Sequence, residues 1–122
     1  MTNVIHCYSR KQAIEDGVLI DVSTLAKELG IAFPIAVTSG VWATCVKVPE
    51  AVSGWQDETG RLWDVLNMFR LKAKGVSGSY LEFKTLFQNS ENGTPEPMLL
   101  VGCCGPGDRG EPTITIMLPG ED

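Results

Sequence analysis

The sequence contains a single histidine, His6, and four cysteines that form no C-x-x-C pair. A structural zinc site normally draws on closely spaced pairs of cysteine or histidine, so this shortage argues against a zinc protein. A Ser–His–Asp assembly would have to depend on that one histidine. We therefore expect no metal and four reduced thiols: Cys7, Cys45, Cys103 and Cys104.

Long apolar runs are also missing. No uninterrupted run approaches the roughly 20 residues that a membrane helix needs, and Met1 to Ser9 do not have the pattern of a signal peptide. We therefore expect a cytoplasmic protein. The length of 122 residues predicts a single domain, 1–122, with one modest core.

Basic residues are scarce in the last 48 positions. The net charge is −5, and residues 75–122 contain only Lys84 and Arg109 as basic side chains. An acidic surface favours a basic partner through long-range steering, but simple solubility explains the same composition. The acids that would form such a binding surface are Glu82, Glu91, Glu96, Asp108, Glu111, Glu121 and Asp122.

The basic residues that cluster do so on one predicted helix, and we interpret them as a solvated helix face. They are Arg61, Arg70, Lys72 and Lys74. Trp63 lies on the same face as Arg70, and Trp55 lies in the preceding loop. An exposed tryptophan beside an arginine is typical of interface hot spots, whereas packing of Trp63 under the N-terminal elements is the structural alternative.

Capping and stop residues divide the first half into short elements. Ser9 and Ser23 are the predicted caps of two helices, which Gly17 and Gly30 would end. The predicted elements are a strand over Val4–Tyr8, a helix over Arg10–Asp16, an extended segment over Val18–Asp21, a helix over Thr24–Leu29, a strand over Ile35–Val37 and a helix from Thr38 or Ser39 through Cys45.

The clearest helix follows a loop over Pro49–Thr59, with Thr59 as its cap and Gly75 as its end. Its apolar residues recur at helical spacing and predict one buried stripe. The members of the stripe are Leu62, Val65, Leu66, Phe69 and Ala73. The core should include Leu62, Leu66, Phe69, Phe83, Ile114 and Ile116.

After Gly78 the apolar period changes to two, which predicts strands. Phe83, Thr85 and Phe87, with Leu81, share one strand face. Further strands are predicted over Met98–Cys104 and Thr113–Leu118, joined by a turn over Gly105–Pro112. The resulting fold class is α+β: short helices and strands, then a long amphipathic helix and a three-stranded antiparallel meander.

Gly105, Gly107 and Gly110 spell G-x-G-x-x-G after a predicted strand. A dinucleotide-binding fingerprint also requires a helix at that point and an acid about 20 residues later. Pro112 and a strand pattern follow instead, so we interpret the glycines as a tight hairpin turn with positive φ angles.

The opening of the chain offers a second interpretation. His6, Tyr8 and Ser9 before a small helix and Gly17-Val18-Leu19 resemble the start of ADP-ribosyltransferase-like proteins. The resemblance implies that His6 binds the ribose of NAD, and that Tyr8 or Tyr80 stacks on the nicotinamide. It also implies that Glu111 or Glu121 stabilises the transition state.

Three runs are similar to a family of short, uncharacterised bacterial proteins: YSRKQAIEDGVLIDVS (8–23), GRLWDVL (60–66) and GEPTITIMLPGED (110–122). The resemblance implies genes on plasmids, integrated elements and phages, the setting of anti-CRISPR and other anti-defence proteins. The hypothesis that follows is a non-enzymatic inhibitor without cofactor that binds a host defence protein or CRISPR effector complex, with no direct nucleic-acid or membrane contact. The alternatives are an NAD-dependent enzyme, and an interaction module that uses Trp63 and Arg70.

Overall fold

Five strands form one sheet in the computed structural model, which describes residues 9–74, 78–90 and 93–121. The strands are β1 (Leu19–Asp21), β2 (Ile35–Thr38), β3 (Tyr80–Phe87), β4 (Glu96–Pro106) and β5 (Pro112–Met117). Their order across the sheet is β1-β2-β5-β4-β3. The predicted α+β class is therefore confirmed, while the strand predicted over Val4–Tyr8 lies outside the described residues.

Along the chain, the helices lie before and between the strands. They are α1 (Arg10–Glu15), α2 (Ser23–Glu28), α3 (Ser39–Val41) and α4 (Glu58–Ala73). A π-helical turn over Trp42–Val46 continues α3, and a 3-10 turn covers Glu50–Val52. The helix predicted through Cys45 is therefore present, but its second half is wound more widely, with the Lys47 amide donating to the Trp42 carbonyl at 2.8 Å.

The predicted Ser9 cap is confirmed, and Thr38, one of the two residues at which the third helix was expected to begin, is the cap of that helix. The Ser9 hydroxyl accepts from the Gln12 amide at 3.0 Å, and the Thr38 hydroxyl accepts from the Val41 amide at 3.1 Å. Both satisfy amides that have no partner within a helix.

The other two predicted caps are wrong. Helix α4 begins at Glu58, and the Asp57 carboxylate accepts from the Gly60 amide at 2.6 Å, so Thr59 is already inside the helix. Ser23 does not cap α2, because its hydroxyl donates to Asp21 at 2.6 Å and accepts from the Ile35 amide at 3.0 Å. Its side chain thus fastens α2 to β2 instead.

The sheet is larger than predicted. Strand β4 pairs antiparallel with both β3 and β5. However, β5 also pairs parallel with β2, which itself pairs antiparallel with β1. The last three strands therefore do not form a separate sheet, because the short N-terminal strands extend it through β2.

The core lies between one sheet face and helices α2, α3 and α4. All six residues predicted to be core are buried: Leu62, Leu66, Phe69, Phe83, Ile114 and Ile116. The Phe69 and Phe83 rings meet edge to face with centroids 5.7 Å apart. Gly102 allows this approach, since a methyl group there would overlap the Phe69 ring. The alternating pattern of β3 and the helical stripe of α4 thus meet as the two halves of one core.

The hairpin between β4 and β5 replaces any dinucleotide-binding loop. Of the three glycines in G-x-G-x-x-G, only Gly110 has a positive φ, 79°. The predicted positive φ is therefore wrong for Gly105, which lies within β4, and for Gly107, which turns the chain without it. Helix α1 lies against the opposite sheet face, where Arg10 bonds to Thr115 of β5.

Candidate functional site

Three of the predicted binding acids that the structure describes accept hydrogen bonds from backbone amides of the chain. Asp108 accepts from the amides of Arg10 and Lys11 at 2.7 and 3.0 Å. It therefore holds the start of α1, and these backbone hydrogen bonds lower the pKa of Asp108 below its usual range. Glu111 accepts from the Arg109 amide at 2.8 Å. Glu121 accepts from the Thr38 hydroxyl at 2.8 Å and also from the Leu118 amide.

The other acids do not gather on one patch. Glu82 is exposed on β3, and Glu96 begins β4 opposite Phe87, about 17 Å further along the strand direction. Asp108 follows the far end of β4, roughly 35 Å from Glu96 by the same spacing. Glu91 and Asp122 lie outside the described residues. The structure therefore disperses the described acids that the sequence grouped by composition.

The residues of the NAD interpretation are only partly described. His6 and Tyr8 lie outside the described residues. Glu111 is in the β4–β5 hairpin, and Tyr80 begins β3 with 52% of its surface exposed. The interpretation stays a prediction.

Both tryptophans that the sequence singled out are exposed, Trp55 by 56% and Trp63 by 37%. Arg70, on the same helix as Trp63, donates to the Asn67 side chain at 2.9 Å and faces solvent. More than a third of the Trp63 surface is thus left uncovered by the described elements, while the first eight residues of the N-terminal part lie outside the described residues.

Arg61 is the residue that departs most from its predicted place. We expected it on a solvated face of α4, but only 2% of its surface is exposed. Its guanidinium carbon lies 4.5 Å from the centre of the Phe87 ring, a cation–π contact. Its position explains the burial, because residues 61, 65 and 69 follow one another at i, i+4 and i+8 on the apolar face. That spacing was the signal available in the sequence.

The hydrogen bonding of Arg61 is incomplete. Nη2 donates to the Asn89 side chain at 2.7 Å, and Asn89 in turn donates to Glu96 at 3.2 Å. Nε and Nη1 are buried without a hydrogen-bond partner. No carboxylate forms an ion pair with Arg61 among the described residues. A buried guanidinium normally has all its donors satisfied or a paired anion, so Arg61 is exceptional.

Arg61 lines an open cleft of about 560 Å³ between the start of α4 and the end of β3. Because so little of Arg61 is exposed, it lies at the bottom of this cleft. The other lining residues that matter below are Trp55, Asp64, Leu86 and Phe87. The cleft thus has a guanidinium at its bottom and both apolar side chains and two carboxylates, Asp57 and Asp64, in its walls, and we call it the Arg61 cleft.

The electrostatics of the cleft leave the charge of Arg61 weakly compensated. Burial lowers the pKa of Arg61, which shows that its environment disfavours the charged form. Burial raises the pKa of the nearby Cys45 thiol to about 11, so that thiol is neutral at pH 7. Asp64 is the one carboxylate whose charge acts on Arg61 among the described residues, and it faces solvent.

The lining of the Arg61 cleft could hold an acidic ligand group. A cation at the bottom of an apolar-walled cleft suits an acidic group attached to an apolar one. Cys45 is buried and protonated, so it is a poor nucleophile. Over residues 9–74, 78–90 and 93–121, no three His, Cys, Asp or Glu side chains form a metal-holding group.

The comparisons with known proteins give a family and no relative of known activity. No curated protein and no solved structure matches the chain. No helix in the described part of the chain is long and apolar enough to cross a membrane. The model of one family of unknown function, DUF6573, matches residues 1–122. The chain belongs to this family of unknown function, DUF6573.

Proposed function

We propose that this chain is a non-enzymatic binding protein that captures an acidic side chain of a partner protein in the Arg61 cleft. The observation that carries the proposal is the buried guanidinium of Arg61 with two donors unsatisfied. Leaving a buried charge without a partner costs several kcal/mol in a folded protein. A partner carboxylate would remove that cost in the complex, which makes Arg61 a binding residue.

Access to the guanidinium requires a movement of its side chain. Nε and Nη1 are buried, and Nη2 is held by Asn89. An acidic group that enters the cleft would draw the guanidinium outward, away from Asn89, and form a bidentate pair with it. Trp55, exposed on the cleft wall, would then cover the apolar part of the entering side chain.

The partner class follows from the family resemblance of the three sequence runs. We propose a host defence protein or CRISPR effector complex as the partner, with the chain acting as an inhibitor by occupying its surface. The Arg61 cleft supports the binding step of this inhibition. Arg61 and Trp55 take the place of Trp63 and Arg70 as the expected anchors.

The acidic-surface version is a second candidate, favoured by the exposure of Glu82 and Glu96. It would require a basic partner, whereas the Arg61 cleft requires an acidic group. The two candidates make opposite demands on the partner's contact residues. Identification of those residues therefore distinguishes them.

Site-specific photo-crosslinking in a bacterial host tests the proposal. A photoreactive phenylalanine analogue at position 55 should crosslink a partner, and an acidic residue of that partner should lie beside the crosslinked site. The same analogue at position 63 is the matched control, because Trp63 is also exposed but does not line the cleft. Crosslinking from position 63 but not from position 55 would refute the cleft as the binding surface. Quenching of tryptophan fluorescence by NAD would instead support the enzyme alternative.

A further inference from the structure

Strand β3 occupies one edge of the five-stranded sheet. Its inner side pairs with β4 over all eight residues, Tyr80 to Phe87, and no other described strand pairs with its outer side. An open edge of this length presents backbone donors and acceptors to another strand. A further strand could therefore pair with β3 and extend the sheet at this edge.

One hydrogen bond shows which residues of β3 direct their backbone amides and carbonyls away from β4, to the open edge. The Cys104 amide donates to the Ser79 carbonyl at 2.8 Å, so residues with odd numbers in this strand exchange hydrogen bonds with β4. Residues with even numbers, among them Glu82, Lys84 and Leu86, direct their amides and carbonyls to the open edge. The side chains of these three residues are exposed as well.

The charges on the edge are self-complementary. Natural edge strands usually carry charges that discourage pairing, but here Glu82 and Lys84 have opposite signs and stand two residues apart. In an antiparallel pair of two β3 strands centred on Phe83, Glu82 of each copy lies opposite Lys84 of the other. The neighbouring registers place Glu82 opposite Glu82, or Lys84 opposite Lys84, which is unfavourable.

We propose that the edge of β3 pairs antiparallel with β3 of a second copy of this chain, with Phe83 at the two-fold axis. The pairing joins two five-stranded sheets into one. It also places Leu86 opposite Tyr80 of the second copy, an apolar–aromatic cross-strand pair. The inference is independent of the proposed function.

The helix beside the edge adds apolar surface to this interface. Met68 and Leu71 of α4 are 38% and 51% exposed, and they line a groove of about 550 Å³ together with Phe83. Stable interfaces bury roughly 1,200–2,000 Å² in total, more than one strand pair supplies. The two α4 helices, brought together across the axis, would supply the rest. Because Leu86 also lines the Arg61 cleft, Tyr80 of the second copy would stand at the rim of that cleft.

Sedimentation velocity over a concentration series tests the proposal. The parent chain should move from 13.2 kDa towards twice that mass as its concentration rises. Glu82→Lys and Lys84→Glu should each raise the dissociation constant at least about tenfold, because each places like charges opposite one another twice. The double variant, Glu82→Lys with Lys84→Glu, should dimerise like the parent.

A mixture of the two single variants gives the sharpest result. Glu82→Lys has lysine at both positions 82 and 84, and Lys84→Glu has glutamate at both. The mixture should therefore form a heterodimer at concentrations at which each variant alone is largely monomeric. Glu28→Lys is the control, since it makes the same charge change on α2, away from the edge, and should leave dimerisation unchanged. Melting temperatures equal to the parent's would show that the variants are folded.

Three outcomes would overturn the proposal. A parent chain that stays monomeric at several hundred micromolar has no such interface. A dimer that neither single variant weakens, or a mixture that forms no heterodimer, would show that the copies meet elsewhere or in another register.

Discussion

Arg10 and Arg61 lie on opposite faces of the sheet, and their surroundings differ. Arg10, at the start of α1, donates from Nη1 to the Thr115 hydroxyl and from Nη2 to the Ile114 carbonyl, both at 2.8 Å. The charges of Asp21, Asp108 and Glu111 stabilise its charged form. Arg61, in α4, has one hydrogen bond and the charge of one solvent-facing carboxylate.

The difference separates a structural arginine from a binding one. The Arg10 side chain ties α1 to β5, and the Arg10 backbone amide separately donates to the Asp108 carboxylate, so a side-chain substitution would remove the first connection and keep the second. Burial lowers the pKa of both arginines, and the charges of three carboxylates oppose this shift at Arg10, whereas the charge of one carboxylate, Asp64, opposes it at Arg61. An unsatisfied buried charge persists in a folded protein when function retains it, which is the basis of our interpretation of Arg61.

The largest expected effect is at Arg10. Arg10→Met should lower the free energy of unfolding by about 1–3 kcal/mol, because Thr115 and the Ile114 carbonyl lose a charged donor. Urea denaturation measures this change. Lys11→Met, at the exposed neighbouring position, is the control and should change stability by less than about 0.5 kcal/mol. Equal changes in the free energy of unfolding for the two variants would show that the Arg10 side chain has no special structural role.

Replacement of Asp64 should change the free energy of unfolding much less than replacement of Arg10, and in the opposite direction. Burial raises the pKa of Asp64, although Arg61 opposes the shift. The folded state therefore disfavours the ionised carboxylate, and the stability that its protonated form provides is lost as pH rises through the raised pKa. At pH 7, Asp64→Asn should raise the free energy of unfolding by a few tenths of a kcal/mol, since solvent screens this site.

The pH dependence of that variant sharpens the comparison. The difference from the parent should vanish near about pH 3, where Asp64 is protonated in both the folded and the unfolded state. Urea denaturation at several pH values measures it. A loss of stability in Asp64→Asn at pH 7 would mean that Asp64 is a true ion-pair partner of Arg61.

Local patterns in the sequence were enough for much of the fold. The alternation in β3 and the stripe of α4 predicted the buried faces correctly, because a strand or helix against one core shows its period directly. The pairing of β2 with β5 was not predictable in this way. It joins residues about 80 positions apart, and nothing in their local pattern specifies the partner.

The Arg61 cleft was not predicted from the sequence, for a related reason. The C-terminal acids were grouped by composition alone. In the structure, Asp108 accepts a hydrogen bond from the backbone amide of Arg10, which is distant in sequence, and Glu121 accepts one from the backbone amide of nearby Leu118. Arg61 was grouped with exposed basic residues by its charge, although its helical spacing placed it on the buried face. Charge type predicts solvent exposure on average, whereas position on the helix decides it for one residue.

The unfolding free energy of Arg61→Met tests the central claim most directly. Methionine has a similar length, keeps contact with the Phe87 ring and removes the unsatisfied donors, so the variant should match the parent within about 0.5 kcal/mol or exceed it. Arg70→Met, an exposed arginine on the same helix, controls for the change in net charge. If Arg61→Met instead loses 2 kcal/mol or more while Arg70→Met does not, Arg61 is a structural residue, and the account of the Arg61 cleft as a binding site is contradicted.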